Sequence, residues 1–383
     1  MEGASYERET LKKFSLLLTI LLLWPLPAFS QAAPLFVRIG LVEHAGRVSF
    51  GCSVPARVLD SRGKEVCRVA PLECWQIEDK RGKATLFDPK KKLFTAAFPL
   101  TLKPVISSQG IPLIFLAGKW YRGEGEFRPG LLVINRLPID EYLYGVVPSE
   151  MPASWPIESL KAQAIAARTY AIANLGLFAR QGFDLRPTID NQVYGGAQNE
   201  RIPSNQAVDS TRGEVVTYNG RVIRAYYHSC AGGYTESSET VWGKAIPYLQ
   251  AVPDFDQEAP RYLWQKTFSK EALSSLLGMG SVREILPLQR GYSGRISHLK
   301  VVGSTEKTMT GEQFRKATGL FSTLFNVQSD LNAFTFSGRG FGHGLGLSQW
   351  GAKALGEKGY LYPQILRHYY PTASLDRLAA PGS

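Results

Sequence analysis

Glycine stands at every second position from Gly338 to Gly346 in the run Ser337-Gly-Arg-Gly-Phe-Gly-His-Gly-Leu-Gly-Leu-Ser-Gln-Trp-Gly-Ala, which ends at Ala352. Successive side chains of an extended strand point to opposite faces, so alternate glycines strip one face bare. Another segment is therefore expected to pack very close to that face. The run has a superficial likeness to a dinucleotide-binding loop. That reading fails, because such a loop needs a strand–helix–strand unit and an acidic residue ~20 positions on, and little chain follows Ala352. His343, in mid-run, has little steric cover and is expected in or near a cleft. Ser348, Gln349 and Trp350 follow it. Gln349 and Trp350 can hydrogen-bond to and stack on a sugar ring, or simply pack the last helices.

A second constraint comes from residues 156–175, where the hydrophobic period becomes helical. Ile157, Leu160, Ala164, Ala167, Ala171 and Leu175 fall on one face. Ser154 is the expected N-cap, Pro156 the first turn and Gly176 the C-cap. The many alanines let a neighbouring element approach closely. Gln163 and Arg168 are the polar residues of interest, and Glu158 with Lys161 makes an i,i+3 pair. If the helix lines a cleft, Arg168 can orient a carboxylate or a substrate hydroxyl; otherwise it is a surface or interface arginine.

Glu150 lies between Pro148 and Pro152, ahead of that helix, with Met151 and Trp155 as apolar neighbours. Apolar burial raises a carboxyl pKa and suits a glutamate to general-acid work near neutrality. An ordinary loop carboxylate near a helix N-terminus fits the same residues. Further on, Ala225-Tyr-Tyr-His-Ser-Cys-Ala-Gly-Gly leads into a polar stretch ending at Trp242 and containing Glu239. His228, Ser229 and Cys230 invite a nucleophile reading. On a strand, however, His228 shares a face with Cys230 and not with Ser229, and no G-x-S-x-G elbow is present.

The remaining pattern is mixed. Short strands are expected at Leu35 to Leu41, Arg57 to Leu59, Lys83 to Phe87, Leu93 to Leu102, Pro112 to Leu116, Leu131 to Ile134, Ile296 to Val302 and Ala333 to Ser337. A β region is expected from Glu214 to His228, turning at Asn219-Gly220. Helices are expected at Lys270 to Leu277, Ser348 to Leu355 and Tyr362 to Tyr369. Without regular strand–helix alternation the fold class is α+β, a mixed β-rich core with a few helices, preceded by a small β-rich N-terminal region. The expected divisions are 1–32, 33–124 and 125–383.

At the N-terminus, Lys12 and Lys13 precede the mostly apolar Phe14 to Trp24, then Pro25, Pro27 and small residues through Ala33. That is the order of a secretory signal peptide, and the run is shorter than the ~20 residues of a spanning helix. An extracytoplasmic location is expected, with the membrane a partner only if the leader is retained. The net charge of +11 favours a polyanion. Outside the cytoplasm the cell envelope is a better candidate than nucleic acid, which is not expected as a partner. Cys52, Cys67 and Cys74 allow a local disulfide. His228 and Cys230 supply only two of a zinc site's four ligands, so no metal or cofactor is expected.

Three segments together carry a family resemblance. Leu143-Tyr-Gly-Val-Val-Pro-Ser-Glu-Met-Pro, Leu160-Lys-Ala-Gln-Ala-Ile-Ala-Ala-Arg-Thr-Tyr-Ala and Gly340-Phe-Gly-His-Gly-Leu-Gly-Leu-Ser-Gln-Trp-Gly-Ala stand in order. Gly232-Gly233, Thr235, Trp242 and the closing Ile365-Leu to Tyr369-Tyr370 accompany them. Over about residues 125–375 the chain resembles the SpoIID/LytB family, which comprises stage II sporulation protein D and the amidase enhancer. Residues 34–124 match only loosely.

The resemblance implies a SpoIID-like fold and work on peptidoglycan. Sporulation members are lytic transglycosylases that cut glycan strands, preferring those stripped of stem peptides. The family's catalytic glutamate falls on Glu150, and the arginine of its alanine-rich helix on Arg168. Ordinary glycosidases use two carboxyls. A lytic transglycosylase can use the sugar's C6 hydroxyl as nucleophile, so one Glu can protonate the leaving oxygen and then take the C6 proton, giving a 1,6-anhydro product. Gln163, Arg168, His228, Ser229, Gly232, Gly233, His343, Ser348 and Gln349 are the expected glycan-contacting residues, and Glu239 is the rival acid. The amidase-enhancer branch implies instead a non-catalytic, wall-binding activator of an N-acetylmuramoyl-L-alanine amidase.

Overall fold

In the computed structural model, residues 34–106 and 110–378 are described, so the expected leader over residues 1–32 lies outside the described residues. The first part of the chain makes two six-stranded antiparallel sheets. One runs, edge to edge, through Phe36–Val42, Leu132–Pro138, Glu124–Arg128, Leu100–Pro104, Ala56–Leu59 and Glu65–Val69. The other runs through Lys119–Tyr121, Ile114–Leu116, Arg47–Cys52, Trp75–Lys80, Lys83–Phe87 and Leu93–Ala97. Alternating apolar residues fill the space between them. Phe50 of one sheet meets Phe127 of the other with ring centroids 5.2 Å apart.

Two expectations change here. Leu93 to Leu102 is two strands, Leu93–Ala97 pairing with Lys83–Phe87 and Leu100–Pro104 pairing with Ala56–Leu59 in the facing sheet. Pro99 separates them, having no N–H to give to a ladder. The boundary expected between 124 and 125 falls inside the sandwich, because Glu124–Arg128 and Leu132–Pro138 are paired strands of the first sheet.

Helices follow: α1 (Ile139–Glu150), α2 (Ile157–Ala173), α3 (Ile202–Ser210), α4 (Ser238–Trp242), α5 (Lys270–Leu277), α6 (Gly311–Thr318), α7 (Gln349–Glu357) and α8 (Tyr362–Tyr369). The segment read as a rigid loop around Glu150 is therefore α1, and Glu150 is its last residue. Pro148 misleads as a helix breaker. Its missing N–H would have bonded Tyr144, and the helix ends two residues later, so only one bond is lost.

Helix α2 is enclosed on every side rather than on one face, with Leu160, Ala162, Ala164, Ile165, Ala166, Ala167 and Ala171 all fully buried. Its neighbours are α1, α3, α7, α8 and the strand Glu214–Tyr218. Alanine makes this possible, since a thicker side chain would hold five neighbours away. Its N-cap is Pro156 and not Ser154, and its C-cap is Asn174 and not Gly176. The Asn174 side-chain amide donates to the Tyr170 carbonyl at 2.7 Å.

Residues 263–339 build a second core of their own. It lies between the sheet Leu263–Ser269, Ala333–Arg339, Phe325–Ser329, the sheet Glu284–Arg290, Ile296–Val302, Glu306–Thr310, and helices α5 and α6. Val301, Phe314, Phe325, Phe334 and Phe336 fill it. The chain then leaves along the glycine run towards α7.

Candidate functional site

The glycine run is extended only as far as Arg339. Gly340, Gly342, Gly344 and Gly346 all have positive φ, from 65° to 118°, which other residues rarely adopt. The expected close packing is present at each of them. A Cβ at Gly342 would strike the His228 side chain, at Gly344 the Arg295 guanidinium, and at Gly346 the Tyr226 carbonyl. Alternation thus reflects a string of left-handed turns as much as a bare face. The run delivers Leu347–Ser348 into a short parallel pairing with Tyr227–His228, with Tyr227 opposite Leu347 and His228 opposite Ser348.

That pairing brings two distant segments onto one carboxylate, which the Val193 segment also meets. Glu150 Oε1 accepts from the Val193 N–H at 3.0 Å and from the Tyr227 hydroxyl at 3.4 Å. Glu150 Oε2 accepts from the Gln349 amide at 3.2 Å. Tyr227 is set in turn by Gln192, whose amide N–H donates to its hydroxyl at 3.0 Å and to the Ala167 carbonyl of α2 at 3.1 Å. The buried Tyr142 hydroxyl donates to Gln192 Oε1 at 3.2 Å. Burial pushes the Glu150 pKa above the ordinary glutamate value, and the three donors pull the other way. Met151 is fully buried beside it. Trp155 and Trp350 meet edge to face with centroids 4.8 Å apart, both partly exposed. The group has the chemistry of a single positioned acid/base, and Trp350 directly follows its Gln349 donor in the chain.

Ser348 is buried and N-caps α7 by accepting from the Gly351 N–H at 3.3 Å. His228 is buried, and its Nδ1 donates to the Leu345 carbonyl at 3.1 Å, which fixes the neutral tautomer. His343 is half-buried, and its Nδ1 accepts from the Leu345 N–H at 3.0 Å. The two rings lie 5.3 Å apart. Burial drives His228 well below the usual imidazole range and His343 down to about 4. Ser229 is half-buried, and its carbonyl accepts the Trp350 N–H at 3.1 Å. Gln163 is fully buried on α2, with no hydrogen-bond partner for either amide atom among the described residues.

Other expected members stand apart. Arg168 is fully buried, and its guanidinium is tied to Asp140 of α1 at 2.9 Å, the Val208 carbonyl at 3.1 Å and the Glu214 carbonyl at 3.2 Å. It links α1, α3 and the strand Glu214–Tyr218 to α2, which departs from the expectation of a cleft-lining arginine. Glu239 is exposed on α4 and forms no hydrogen bond with the Glu150 group among the described residues. The Gly232 and Gly233 N–H groups both donate to Asp256, at 2.6 and 2.9 Å, so they hold the turn together. Cys230 is buried, and burial with Asp256 pushes its thiol well above the usual range, which removes it as a nucleophile. All four cysteines are free thiols, so the local disulfide that the first three allow is not formed. Among the described residues no three His, Cys, Asp or Glu side chains group as a metal site.

Sequence reasoning missed Gln192, the Val193 N–H and Arg295. Fully buried Arg295 donates to the Ala231 carbonyl at 2.7 Å and the Tyr234 carbonyl at 3.0 Å, joining the second core to the Gly232-Gly233 turn. None of the three lies in a patterned segment. Tyr227 stood beside His228 in a motif already noted, and its hydroxyl was the available signal.

Comparison with known proteins gives the class first. A model described as a stage II sporulation protein matches residues 128–218, from the last sandwich strands through Glu150 and Arg168 to the strand Glu214–Tyr218. A model described as a domain of unknown function matches residues 246–346, which takes in the second core and the glycine run. Stage II sporulation protein D of Bacillus subtilis is 34% identical over 258 residues, 62% of this chain and 74% of that protein. An uncharacterised protein of Brachyspira hyodysenteriae is 35% identical over 267 residues, 67% and 72% of the two chains. The amidase enhancer of Bacillus subtilis is 34% identical over 295 residues, 61% of this chain but only 40% of that protein. The chain belongs to the stage II sporulation protein D family.

Proposed function

We propose that this protein is an exported peptidoglycan lytic transglycosylase that cuts denuded glycan strands with Glu150 as its single acid/base. The observation that carries the reading is the Glu150 carboxyl, held from three sides and raised in pKa by burial. A raised pKa keeps a population of acid near neutrality that can protonate the glycosidic oxygen. No other carboxylate is hydrogen-bonded into the group among the described residues. A lone carboxyl matches chemistry in which the substrate's C6 hydroxyl closes on C1. The leaving sugar takes the Glu150 proton, the C6 oxygen bonds to C1, and its proton returns to Glu150. The acid is regenerated and the product is a 1,6-anhydro sugar. The partly exposed Trp155–Trp350 pair suits the face of a pyranose.

The reading places the protein outside the cytoplasm, in keeping with the leader-like N-terminus and the basic charge. Similarity to an amidase enhancer favours a second reading, a wall-binding protein that activates an N-acetylmuramoyl-L-alanine amidase. One experiment separates them. Denuded and intact peptidoglycan are digested with wild type and with Glu150→Gln, and the products are read by mass spectrometry. Anhydro-ended fragments from wild type, reduced ~10²–10⁴-fold in the variant, support the enzyme. No fragments from either protein, with glycan still bound, refute it in favour of the activator.

A further inference from the structure

We propose that the second core carries a carboxylate-binding subsite for wall glycan, with Arg290 and Arg339 as its cations. The proposal rests on the reading of the protein as one that acts on peptidoglycan.

An open cavity of about 220 Å³ lies where the sheets of the second core meet. Arg290, Arg339, Asn326, Ser337, Leu263 and Phe325 are among its walls, and no acidic residue is. Arg290 is fixed by donating to the Gly294 carbonyl at 2.7 Å, the Phe325 carbonyl at 3.0 Å and Asn326 Oδ1 at 3.1 Å. All three acceptors are neutral, so its charge has no counter-ion among them. Arg290 is itself exposed, and the partial burial of its guanidinium lowers its pKa. Arg339 is exposed on the strand Ala333–Arg339 of the other sheet, paired in register with the largely exposed Leu263. Two arginines lining one cavity give it the positive charge that a carboxylate needs, and the apolar Leu263 suits the ring that bears it.

The surrounding face has the same character. Beyond Arg339 the sheet presents Ser337 opposite Gln265 and Asn326, then Thr335 opposite Thr267 and Gln328. These are uncharged donors and acceptors, the groups that sugar hydroxyls and acetamides meet. The strand that carries Ser337 and Arg339 continues into the glycine run, and Gln349, just after its last alternate glycine Gly346, donates to the Glu150 carboxylate.

The ligand chemistry is a carboxylate on an amino-sugar polymer. It has two sources, the lactyl ether of an N-acetylmuramic acid unit and a stem peptide. Binding is measured by calorimetry with the whole protein bearing Glu150→Gln, so that nothing is cut. The probes are a peptide-free tetrasaccharide of alternating N-acetylglucosamine and N-acetylmuramic acid, its stem-peptide form, and chitotetraose, which has no carboxylate. Adding Arg339→Gln is expected to weaken the peptide-free tetrasaccharide about tenfold and to leave chitotetraose unchanged, with Arg339→Lys between. Weakening confined to the stem-peptide form supports the subsite and assigns the carboxylate to the peptide. Affinity for both carboxylated probes unchanged by Arg339→Gln, or an equal loss for chitotetraose, overturns the proposal. A melting temperature unchanged by Arg339→Gln shows that the fold is intact. Cleavage is assayed separately with Glu150 restored. Absence of anhydro products alongside carboxylate discrimination would sink the transglycosylase and leave the subsite standing.

Discussion

Replacing Arg168 with Met tests whether this arginine holds the fold or the substrate. Methionine keeps most of the volume, so the perturbation is the loss of the guanidinium. It leaves the Asp140 carboxylate without its 2.9 Å partner, and the Val208 and Glu214 carbonyls without the guanidinium's bonds, although the Val208 carbonyl still accepts from Thr211 at 3.3 Å. Thr211 keeps its bond to the Ala207 carbonyl, so it adds little. Removing one partner of a buried pair typically costs ~3–5 kcal/mol. Asp140 keeps about a fifth of its side chain exposed, and Arg212 stands 3.8 Å away, so water and a second cation soften the loss. The expected cost is thus at the low end, about 3 kcal/mol. At roughly 2 °C per kcal/mol for a unit this large, the melting temperature should fall ~6 °C. Thermal unfolding measures the drop, and glycan cleavage at a temperature well below both transitions measures the rest. Normal cleavage per folded molecule is expected. An unchanged melting temperature with lost cleavage would refute the reasoning and return Arg168 to the cleft.

Gly346→Ala should be among the most damaging single-methyl changes, because its Cβ meets the Tyr226 carbonyl at a φ of 65°. Backbone strain and overpacking together suggest a loss of ~3 kcal/mol, seen in denaturant unfolding; a variant as stable as wild type would show that the run can relax. Tyr227→Phe removes a donor that favours the charged form of Glu150, so the basic limb of the cleavage profile should move to higher pH; an unmoved limb would show that the 3.4 Å contact is idle. Burial and the neighbouring Asp256 raise Asp254 to about 7, while burial lowers His343 to about 4. Between pH 4 and 6.5 the folded state thus holds extra protons at Asp254 and the unfolded state holds extra protons at His343, so the two slopes oppose each other. Asp254→Asn removes the term that falls with pH, and the melting temperature should then rise more steeply from pH 4 to 6.5 than in wild type; parallel curves would contradict the assignment.

The sequence by itself determined the periodic elements. Lys270–Leu277, Ile296–Val302 and Tyr362–Tyr369 match their expected spans because local pattern and caps agree there. Asn219-Gly220 turns a hairpin as expected, with both residues at positive φ. It also singled out Glu150, the alanine-rich helix and the glycine run, since each is locally odd in composition. Tertiary structure decided what each of these is for. Helix α1 was hidden by Pro148, whose cost is held to one lost bond because the helix ends two residues later. The fate of Arg168 depended on Asp140, Val208 and Glu214, which lie 28, 40 and 46 residues away. The group around Glu150 joins residues 150, 193, 227 and 349, and Gln192 carries no local pattern at all. A hydrogen bond between segments 199 residues apart leaves no periodicity in either, so only the packed chain can place Gln349 on Glu150.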